Sequence, residues 1–232
     1  MMSDLEICYS PAQWRKLEAE KLRASACAVI DVIRATSTIA TALAHGAGVR
    51  PVAGVEEAFA LKKKNPAALL AGERGGQALA GFDLGNSPED FTTERVQGRL
   101  VILTTTNGTQ ALAACAGARA VVTASLLNLD AVAARLRKIG PPWIIVCAGC
   151  NGEFGVDDAV VAGALAEALE QDHALVSLYR SVRRDLTEAL LGSAAGQELR
   201  RVGLEKDVPF CATLNLFSMV PTLSKDGVLR GA

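Results

Sequence analysis

Short apolar runs alternate with helical patterns along most of the chain, and this alternation constrains the fold more than any other feature. Runs rich in β-formers cover residues 5–9, 26–32, 50–53, 67–71, 100–104, 120–123 and 143–148. Several have no polar alternation, as in Val101-Ile102-Leu103, which is typical of strands covered on both faces. The sequence therefore predicts a largely parallel sheet.

Helical patterns fill the intervals between these runs. They cover residues 11–22, 36–44, 55–64, 108–116, 128–139, 157–171, 175–191 and 194–202, and a strand-like segment follows at 217–223. The first pattern opens with Ser10-Pro11, a typical helix start. We therefore predict a three-layer α/β/α fold with a mixed, largely parallel sheet. Residues 1–232 are expected to form a single domain, or two closely packed lobes.

Composition narrows the class of protein. The 232 residues are 50% hydrophobic with a net charge of −1, so no electrostatic footprint for nucleic acid or an anionic membrane is present. The acidic N-terminus does not resemble a signal peptide, and the apolar runs are shorter than a membrane span. We expect a cytoplasmic protein in which the six cysteines are buried thiols. Because only 4% of residues are aromatic, apolar helix surface is expected to remain for a homodimer.

The strand at 26–32 delivers the first cluster of polar side chains. Asp31 and Arg34 are followed by Thr36 and Ser37 at a predicted helix start. Ligands gather at the carboxyl ends of strands in open α/β sheets. Carboxylates suit a hard cation, and arginine with helix N-terminal amides suits phosphate. The alternative is that Thr36 or Ser37 caps the helix and Asp31 pairs with Arg34.

A second polar cluster follows the strand at 100–104. It consists of Thr105, Thr106, Asn107, Gly108 and Thr109. The hydroxyls and closely approaching amides of such a segment predict an oxyanion cradle. A turn with a threonine cap explains the same residues.

Two more clusters carry acids. Asp157 and Asp158 open the helix at 157–171, where the helix dipole alone favours them. The loop at 72–88 is unusually long and glycine-rich, and it contains Glu73, Arg74 and Asn86. A charged loop is often simply exposed, whereas Glu73 and Arg74 at a strand end would place a carboxylate and a guanidinium over the sheet.

Several familiar sites are disfavoured. A haloacid-dehalogenase nucleophile at Asp31 needs a second aspartate at position 33, which is Ile33. A cysteine-dependent phosphatase needs an arginine six residues after Cys147 or Cys150, and neither has one. The Cys-x-x-Cys lacks a second pair, which disfavours zinc. No P-loop or Gly-x-Gly-x-x-Gly motif indicates a nucleotide site.

Five motifs, in order, resemble the 2-phosphosulfolactate phosphatase family. They are Asp-Val-Ile-Arg-Ala-Thr-Ser-Thr at 31–38, Gly-Glu-Arg-Gly-Gly at 72–76, Gly-Phe-Asp-Leu-Gly-Asn-Ser-Pro at 81–88, Thr-Thr-Asn-Gly-Thr at 105–109, and Cys-Ala-Gly…Gly-Glu-Phe…Asp-Asp…Ala-Gly at 147–163. The tail, with Asp207…Cys211…Asn215…Val220-Pro221, is similar too. The resemblance covers most of the chain.

The resemblance implies a magnesium-dependent hydrolase that converts 2-phosphosulfolactate to 3-sulfolactate and phosphate. In methanogens this step belongs to coenzyme M biosynthesis, and bacteria that do not make coenzyme M also have members. Mg²⁺ would be held by Asp31 and Asp158, with Glu73 and Asp157 as further candidates. Asp157 departs from the glutamate of the family pattern. The resemblance leaves open direct attack by water and a phosphorylated aspartate.

The implied substrate carries a phosphate, a sulfonate and a carboxylate, so several anion-binding groups are needed. Catalysis is assigned to Asp31, Arg34 and Asp158, with Arg34 steadying the phosphoryl oxygens. The predicted substrate-binding residues are Arg34, Thr36, Ser37, Arg74, Asn86, Thr105, Thr106, Asn107, Gly108 and Thr109. The competing interpretation is a non-catalytic protein that binds small phospho- or sulfo-acids without a metal.

Overall fold

The computed structural model describes residues 4–231, and in this range ten strands form one sheet. The strands are β1 (Leu5–Cys8), β2 (Ala26–Ile30), β3 (Gly48–Pro51), β4 (Leu69–Arg74), β5 (Gln77–Ala78), β6 (Leu100–Thr104), β7 (Ala120–Ala124), β8 (Trp143–Cys147), β9 (Pro221–Leu223) and β10 (Leu229–Gly231). The helices are α1 (Pro11–Trp14), α2 (Ala19–Ala24), α3 (Ala35–Ala44), α4 (Val55–Lys64), α5 (Thr93–Val96), α6 (Gly108–Ala114), α7 (Leu129–Ile139), α8 (Val156–Ala168), α9 (Ala174–Val182), α10 (Leu186–Leu191), α11 (Ala194–Arg201) and α12 (Asp207–Cys211).

The sheet has two parallel halves joined by an antiparallel hairpin. Its strand order is β1-β8-β2-β7-β9-β10-β3-β6-β4-β5. Strands β1, β8, β2 and β7 are parallel, and so are β3, β6 and β4. The hairpin β9–β10 runs antiparallel to its neighbours β7 and β3. This confirms the predicted three-layer α/β/α fold with a mixed, largely parallel sheet.

The sheet curls so that its two halves share one core. In a flat sheet β2 and β4 would be six strands apart, roughly 29 Å at about 4.8 Å per strand. Instead, Val29 of β2 and Leu103 of β6 belong to the same buried cluster. That inner cluster also contains Ile39 of α3 and Leu112 of α6. The curl therefore brings the carboxyl ends of both halves together around α3 and α6.

Two further clusters cover the outside of the sheet. Successive side chains of β2 pack on opposite faces of the sheet. Ala28 and Ile30 belong to an outer cluster, whereas Cys27 and Val29 belong to the inner one. The outer cluster of the first half is closed by α7 to α12, and a smaller one beneath α4 covers Leu70. This period of two explains the unbroken apolar runs.

The seven strands predicted in the first 150 residues are present, with shifted ends in most cases. Two helix predictions are wrong. Residues 11–22 form two short helices, because the indole of Trp14 is buried and donates to the carbonyl of Cys147 at 3.1 Å. Residues 175–191 break where the side chain of Asp185 accepts from the Glu188 amide and starts α10. Local capping and tertiary anchoring thus override the longer pattern.

Four short elements escaped the sequence pattern, namely α5, β5, β10 and α12. Strand β5 forms a tight hairpin with β4 across Gly75 and Gly76, whose φ angles of 58° and 80° suit glycine. Strand β10 and helix α12 lie in the tail, and only residues 221–223 of the predicted strand 217–223 are extended in the sheet. In residues 4–231 no helix is long and apolar enough to cross a membrane.

Candidate active site

A small cleft of about 90 Å³ opens where the carboxyl ends of the two sheet halves meet. Six of the predicted site residues line it: Asp31, Arg34, Glu73, Asn86, Thr106 and Asn107. The other residues that line it were not predicted as site residues: Ile33, Gly75, Gly76, Cys150, Asn151, Ala195, Glu198 and Leu199. The cleft suits a small molecule and is lined by both acidic and basic groups.

Asp31 leaves the end of β2 and is 7% exposed. Its carboxylate accepts hydrogen bonds from the backbone amides of Ala35 and Gly108, at the starts of α3 and α6. A Cβ atom on Gly108 would lie 2.6 Å from Asp31 Oδ2, so this approach requires glycine. Burial, followed by the charges of Glu73 and Asp157, raises the pKa of Asp31 to about 8. An isolated carboxylate is therefore unfavourable here.

Glu73 reaches the cleft from β4, in the opposite half of the sheet. Its Oε1 accepts from the amide of Thr106 at 2.8 Å and from the Thr106 hydroxyl at 3.1 Å. Its Oε2 accepts from the Gly76 amide at 2.9 Å. The side chain is fixed and 8% exposed, so the charged stretch of the loop is a buried part of the site rather than a solvated turn.

The two acids of α8 occupy different environments. Asp157 is 4% exposed, its Oδ1 is buried without a hydrogen-bond partner, and burial raises its pKa to about 6. Asp158 Oδ1 accepts from the Val32 amide and Oδ2 from the Gly149 amide, both at 2.9 Å. Asp158 thus ties the loops after β2 and β8 together, whereas Asp157 retains a free acceptor. This geometry favours Asp157 over Asp158 as the residue with an oxygen available to a ligand.

Arg34 forms a buried ion pair, but not with Asp31. Its Nη1 donates to Asp207 Oδ2 at 2.6 Å, and the two side chains are 3% and 0% exposed. Its Nη2 donates to the carbonyl of Gly76 at 2.5 Å. The alternative in which Arg34 is paired by Asp31 is therefore wrong, because a carboxylate 173 residues away takes that place.

Other predicted site residues shape the loops behind the cleft. The Thr36 hydroxyl accepts from the Asp31 amide at 3.2 Å, and the Ser37 hydroxyl donates to the Val32 carbonyl at 2.8 Å. The guanidinium of Arg74 donates to the Glu73 carbonyl and to the Thr104 hydroxyl. These bonds favour a structural role for the three side chains in place of the predicted contact with substrate.

The threonine segment divides in the same way. Thr105 and Thr109 bond to each other, since the Thr105 amide donates to Thr109 Oγ1 and the Thr109 amide to Thr105 Oγ1, both at 3.2 Å. Thr106 and Asn107 face the cleft. The turn with an internal threonine pair, rather than a cradle of free hydroxyls, describes Thr105 and Thr109 best.

Asn86 and Asp207 complete the polar frame. Asn86 is 4% exposed, lines the cleft, and has a buried Oδ1 without a partner. Asp207 Oδ1 accepts from the hydroxyl of Ser87 at 2.6 Å. Asp207 belongs to the tail motif, and its partnership with Arg34 has no signal in local spacing. The half-buried acid Glu198 likewise reaches the cleft only through the packing of α11.

The thiols of Cys147 and Cys150 lie in environments that disfavour the thiolate. Within residues 4–231, no group of three or more histidine, cysteine, aspartate or glutamate side chains forms a ready-made metal cluster. Cys147 is fully buried, and burial raises the pKa of Cys150 to about 11. Both thiols therefore stay protonated near neutral pH, in agreement with the missing cysteine-phosphatase arginine.

The fold and the site define an α/β enzyme with carboxylates and a fixed arginine at the carboxyl ends of its strands, which is a setting for a small anionic substrate. Residues 12–226 match the model of the family described as 2-phosphosulpholactate phosphatase. The chain belongs to this family, whose name denotes a phosphoric monoester hydrolase.

Curated relatives agree with this assignment. A probable 2-phosphosulfolactate phosphatase of Thermotoga petrophila is 44% identical over 202 residues, covering 84% of this chain and 87% of the relative. One from Symbiobacterium thermophilum is 41% identical and covers 91% of this chain and 96% of the relative. One from a Synechococcus species is 43% identical, with coverage of 88% and 90%. The similarity therefore extends over nearly the whole chain, cleft and tail included.

Proposed function

We propose that the protein is a Mg²⁺-dependent phosphatase that hydrolyses 2-phosphosulfolactate, or a similar anionic hydroxyacid phosphate, to 3-sulfolactate and phosphate. The observation that carries the proposal is the grouping of Asp31 and Glu73 beside Arg34 in one cleft, with the buried carboxyl of Asp157 near enough to raise the pKa of Asp31. Similarity to the named relatives supports the substrate. In this proposal the carboxylates bind the cation, and Arg34 binds the phosphate group.

The donor set fits Mg²⁺. This ion uses one or two protein carboxylates together with water and substrate phosphate, so it needs no preassembled cluster of three or more ligands. Asp31 and Asp157 have raised pKa values, and Asp157 Oδ1 is buried without a partner. A cation would offset the burial and the charge repulsion that together raise the pKa of Asp31. We assign Asp31 and Asp157 to the ion, with Glu73 beside them and Asp158 supporting the loops.

Bound Mg²⁺ would offset the negative charge on a phosphoryl oxygen and so stabilise the transition state. The chain's own residues then orient the substrate. Arg34 offers the N–H groups not used by Asp207 and Gly76 to the phosphoryl oxygens. Thr106 and Asn107 line the same cleft; because Thr106 donates both its amide and its hydroxyl to Glu73, Asn107 is the residue left to contact the remaining anionic groups. Since the donors are fixed by buried hydrogen bonds, little reorganisation accompanies the reaction.

Asp31 also links cation binding to protons. With its pKa raised to about 8, the carboxyl holds a proton at neutral pH as long as no cation offsets the negative charge of Glu73 and Asp157. The carboxyl of Asp31 would have to release that proton to hold Mg²⁺, so the affinity for Mg²⁺ is expected to increase with pH. This coupling distinguishes the buried site from an exposed acidic patch.

The test is a panel of phosphorylated hydroxyacids that includes 2-phosphosulfolactate, assayed for phosphate release with Mg²⁺ and with EDTA. We expect release from 2-phosphosulfolactate that EDTA abolishes and added Mg²⁺ restores. Binding of the acids without release would identify the non-catalytic binding protein instead. Release that is unchanged in EDTA would overturn the metal dependence but leave the hydrolase in place.

We also propose that the protein is cytoplasmic and forms a homodimer. All six cysteines are free thiols and five are buried, which supports a reducing compartment such as the cytoplasm. The exposed apolar side chains of Leu214 and Leu216, 41% and 50% exposed, support a homodimer. Light scattering coupled to gel filtration tests the dimer, since a monomer at micromolar concentration would exclude it.

A further inference from the structure

Arg34 is held by residues from three distant parts of the chain. Asp207 of α12 binds Nη1, the carbonyl of Gly76 in the β4–β5 turn binds Nη2, and Ser87 donates to the other oxygen of Asp207. We call Arg34, Asp207, Ser87 and Gly76 the arginine clamp. Every contact in the clamp is 2.5–2.6 Å.

We propose that Asp207 is a positioning residue that fixes the guanidinium of Arg34 for phosphate binding. This inference rests on the proposed function, because it takes Arg34 as the phosphate ligand. Asp207 is 0% exposed and does not line the cleft, so it acts on substrate only through Arg34.

The geometry argues for orientation rather than charge. A guanidinium has five N–H donors in a planar fork, and one hydrogen bond on each of two nitrogens fixes that plane. The clamp uses one N–H group on each of Nη1 and Nη2. The remaining N–H groups of Arg34 are therefore available to a ligand in the cleft. At the same time Asp207 neutralises Arg34, which weakens its long-range attraction for an anion. What the clamp adds is therefore a fixed direction, the requirement for binding tetrahedral phosphate with good geometry.

Ser87 extends the clamp to the cleft wall. It follows Asn86, which lines the cleft, and the Asn86 carbonyl accepts from the Thr38 hydroxyl at 2.8 Å. Since the Thr38 hydroxyl holds Asn86 independently, the Ser87 contact orients Asp207, and Arg34 remains the route from Asp207 to the substrate. A change at Asp207 should affect phosphate binding more than it affects the carboxylates on the other side of the cleft.

The experiment is a double-mutant cycle on the full-length protein with Mg²⁺ present. Arg34→Ala, Asp207→Asn and the double variant are compared in kcat/KM and in the Kd of inorganic phosphate. We expect Asp207→Asn to weaken phosphate binding about tenfold, the factor for one hydrogen bond to a charged group. In the Arg34→Ala background the same substitution should change phosphate binding less than about twofold, because its route to the substrate is gone.

Two further variants keep the test decisive. Ser87→Ala leaves both charges in place and should weaken phosphate binding about twofold to fivefold, even if Asp207→Asn does not fold. Asp226→Asn is the matched control, since Asp226 pairs with Arg230 at 2.7 Å in an exposed position and should leave both constants unchanged.

The outcomes separate this inference from the proposed function. If Arg34→Ala retains wild-type phosphate affinity, Arg34 is not the phosphate ligand and the proposed site fails. If Arg34→Ala weakens phosphate binding while folded Asp207→Asn or Ser87→Ala binds like the wild type, only the positioning role fails. Equal losses from Asp207→Asn in both backgrounds would also contradict it.

Discussion

The two sides of the cleft have opposite electrostatic states. On one side Asp31, Glu73 and Asp157 bring acidic charges together, and Asp31 has a raised pKa. On the other side the arginine clamp is a neutral pair in which both oxygens of Asp207 accept hydrogen bonds. The charges of Arg34 and Asp207 already balance each other, whereas the grouped carboxylates are unfavourable until a cation binds.

This contrast shows how burial serves different purposes in one site. A buried ion pair with all its hydrogen bonds is stable in itself, and breaking it costs about 3–5 kcal/mol. Buried like charges without a counterion shift their pKa values upward instead. The clamp therefore supplies a rigid ligand, whereas the carboxylates supply affinity for a cation. The following variants test each half of that contrast.

The largest effect is expected at Asp31. Asp31→Asn removes the carboxylate that receives amide hydrogen bonds from both sheet halves, and should lower kcat/KM by roughly 10³-fold, the equivalent of several kcal/mol of metal stabilisation. It should also abolish the Mg²⁺-induced increase in melting temperature. Near-normal activity with an unchanged Mg²⁺ response would remove Asp31 from the site.

Gly108→Ala tests the close approach beneath Asp31. The new Cβ would lie 2.6 Å from Asp31 Oδ2 and 2.8 Å from the Ala35 Cβ, so the carboxylate must move. We expect destabilisation of about 1–3 kcal/mol and at least about tenfold lower kcat/KM. Gly117→Ala is the matched control, because a Cβ there meets nothing within 4 Å. Similar results for the two variants would show that the approach is not required.

Asp157→Asn and Asp158→Asn form a pair that separates ligand from support. Asp157 has a free oxygen, so its variant should weaken Mg²⁺ binding about tenfold or more with little loss of stability. Asp158 receives two backbone amides, so its variant should lower the free energy of unfolding by about 1–3 kcal/mol. Calorimetric Mg²⁺ titration and urea unfolding measure the two effects. A reversed pattern would return Asp158 to the ligand set.

The pH dependence of stability directly tests whether Asp31 is a buried carboxyl group with a raised pKa. Because the pKa of Asp31 is about 8 when folded and 3.8 ordinarily, the folded state binds more protons between about pH 4 and 8. The free energy of unfolding of EDTA-treated protein should therefore fall as the pH increases through that window. The slope from Asp31 alone is at most about 1.4 kcal/mol per pH unit. Asp31→Asn should reduce the slope, while Asp157 and Asp158, whose pKa values burial also raises, keep part of it. Stability that increases toward pH 8 would contradict the proposed buried carboxyl group.

The smallest effect is expected at Cys150. Although it lines the cleft, its pKa of about 11 keeps the thiol protonated, and the chemistry gives it no role. Cys150→Ala should change kcat/KM by less than about threefold. A loss of more than about a hundredfold would indicate a thiolate nucleophile and a different mechanism.

Local sequence pattern singled out the carboxylates of the cleft, whereas it gave no signal for Asp207 as the partner of Arg34. Asp31, Glu73 and Asp157 all follow or end a strand or open a helix, so local pattern identified them. Asp207 lies in a five-residue helix beyond the alternating region, and its partner is 173 residues away. Only the curl of the sheet and the packing of the tail bring such residues together. The fold class was predictable because the apolar periodicity is local, whereas the curl depends on the shared inner core.

Local sequence also did not reveal which polar groups would already be bonded. Thr105 and Thr109 have the same hydroxyl as Thr106, yet they bond to each other while Thr106 faces Glu73 and the cleft. Asp157 and Asp158 are adjacent and identical in chemistry, and a helical rotation of about 100° separates their environments. The distinction between ligand and scaffold therefore required coordinates.

The most direct measurement is the anomalous scattering of Mn²⁺, used in place of Mg²⁺, from a crystal of the wild-type protein. The account predicts one strong peak in the cleft within coordination distance of Asp31 and Asp157, on the side away from Asp207. A peak bound elsewhere, or none in the cleft at saturating Mn²⁺, would contradict the claim that these carboxylates form the cation site.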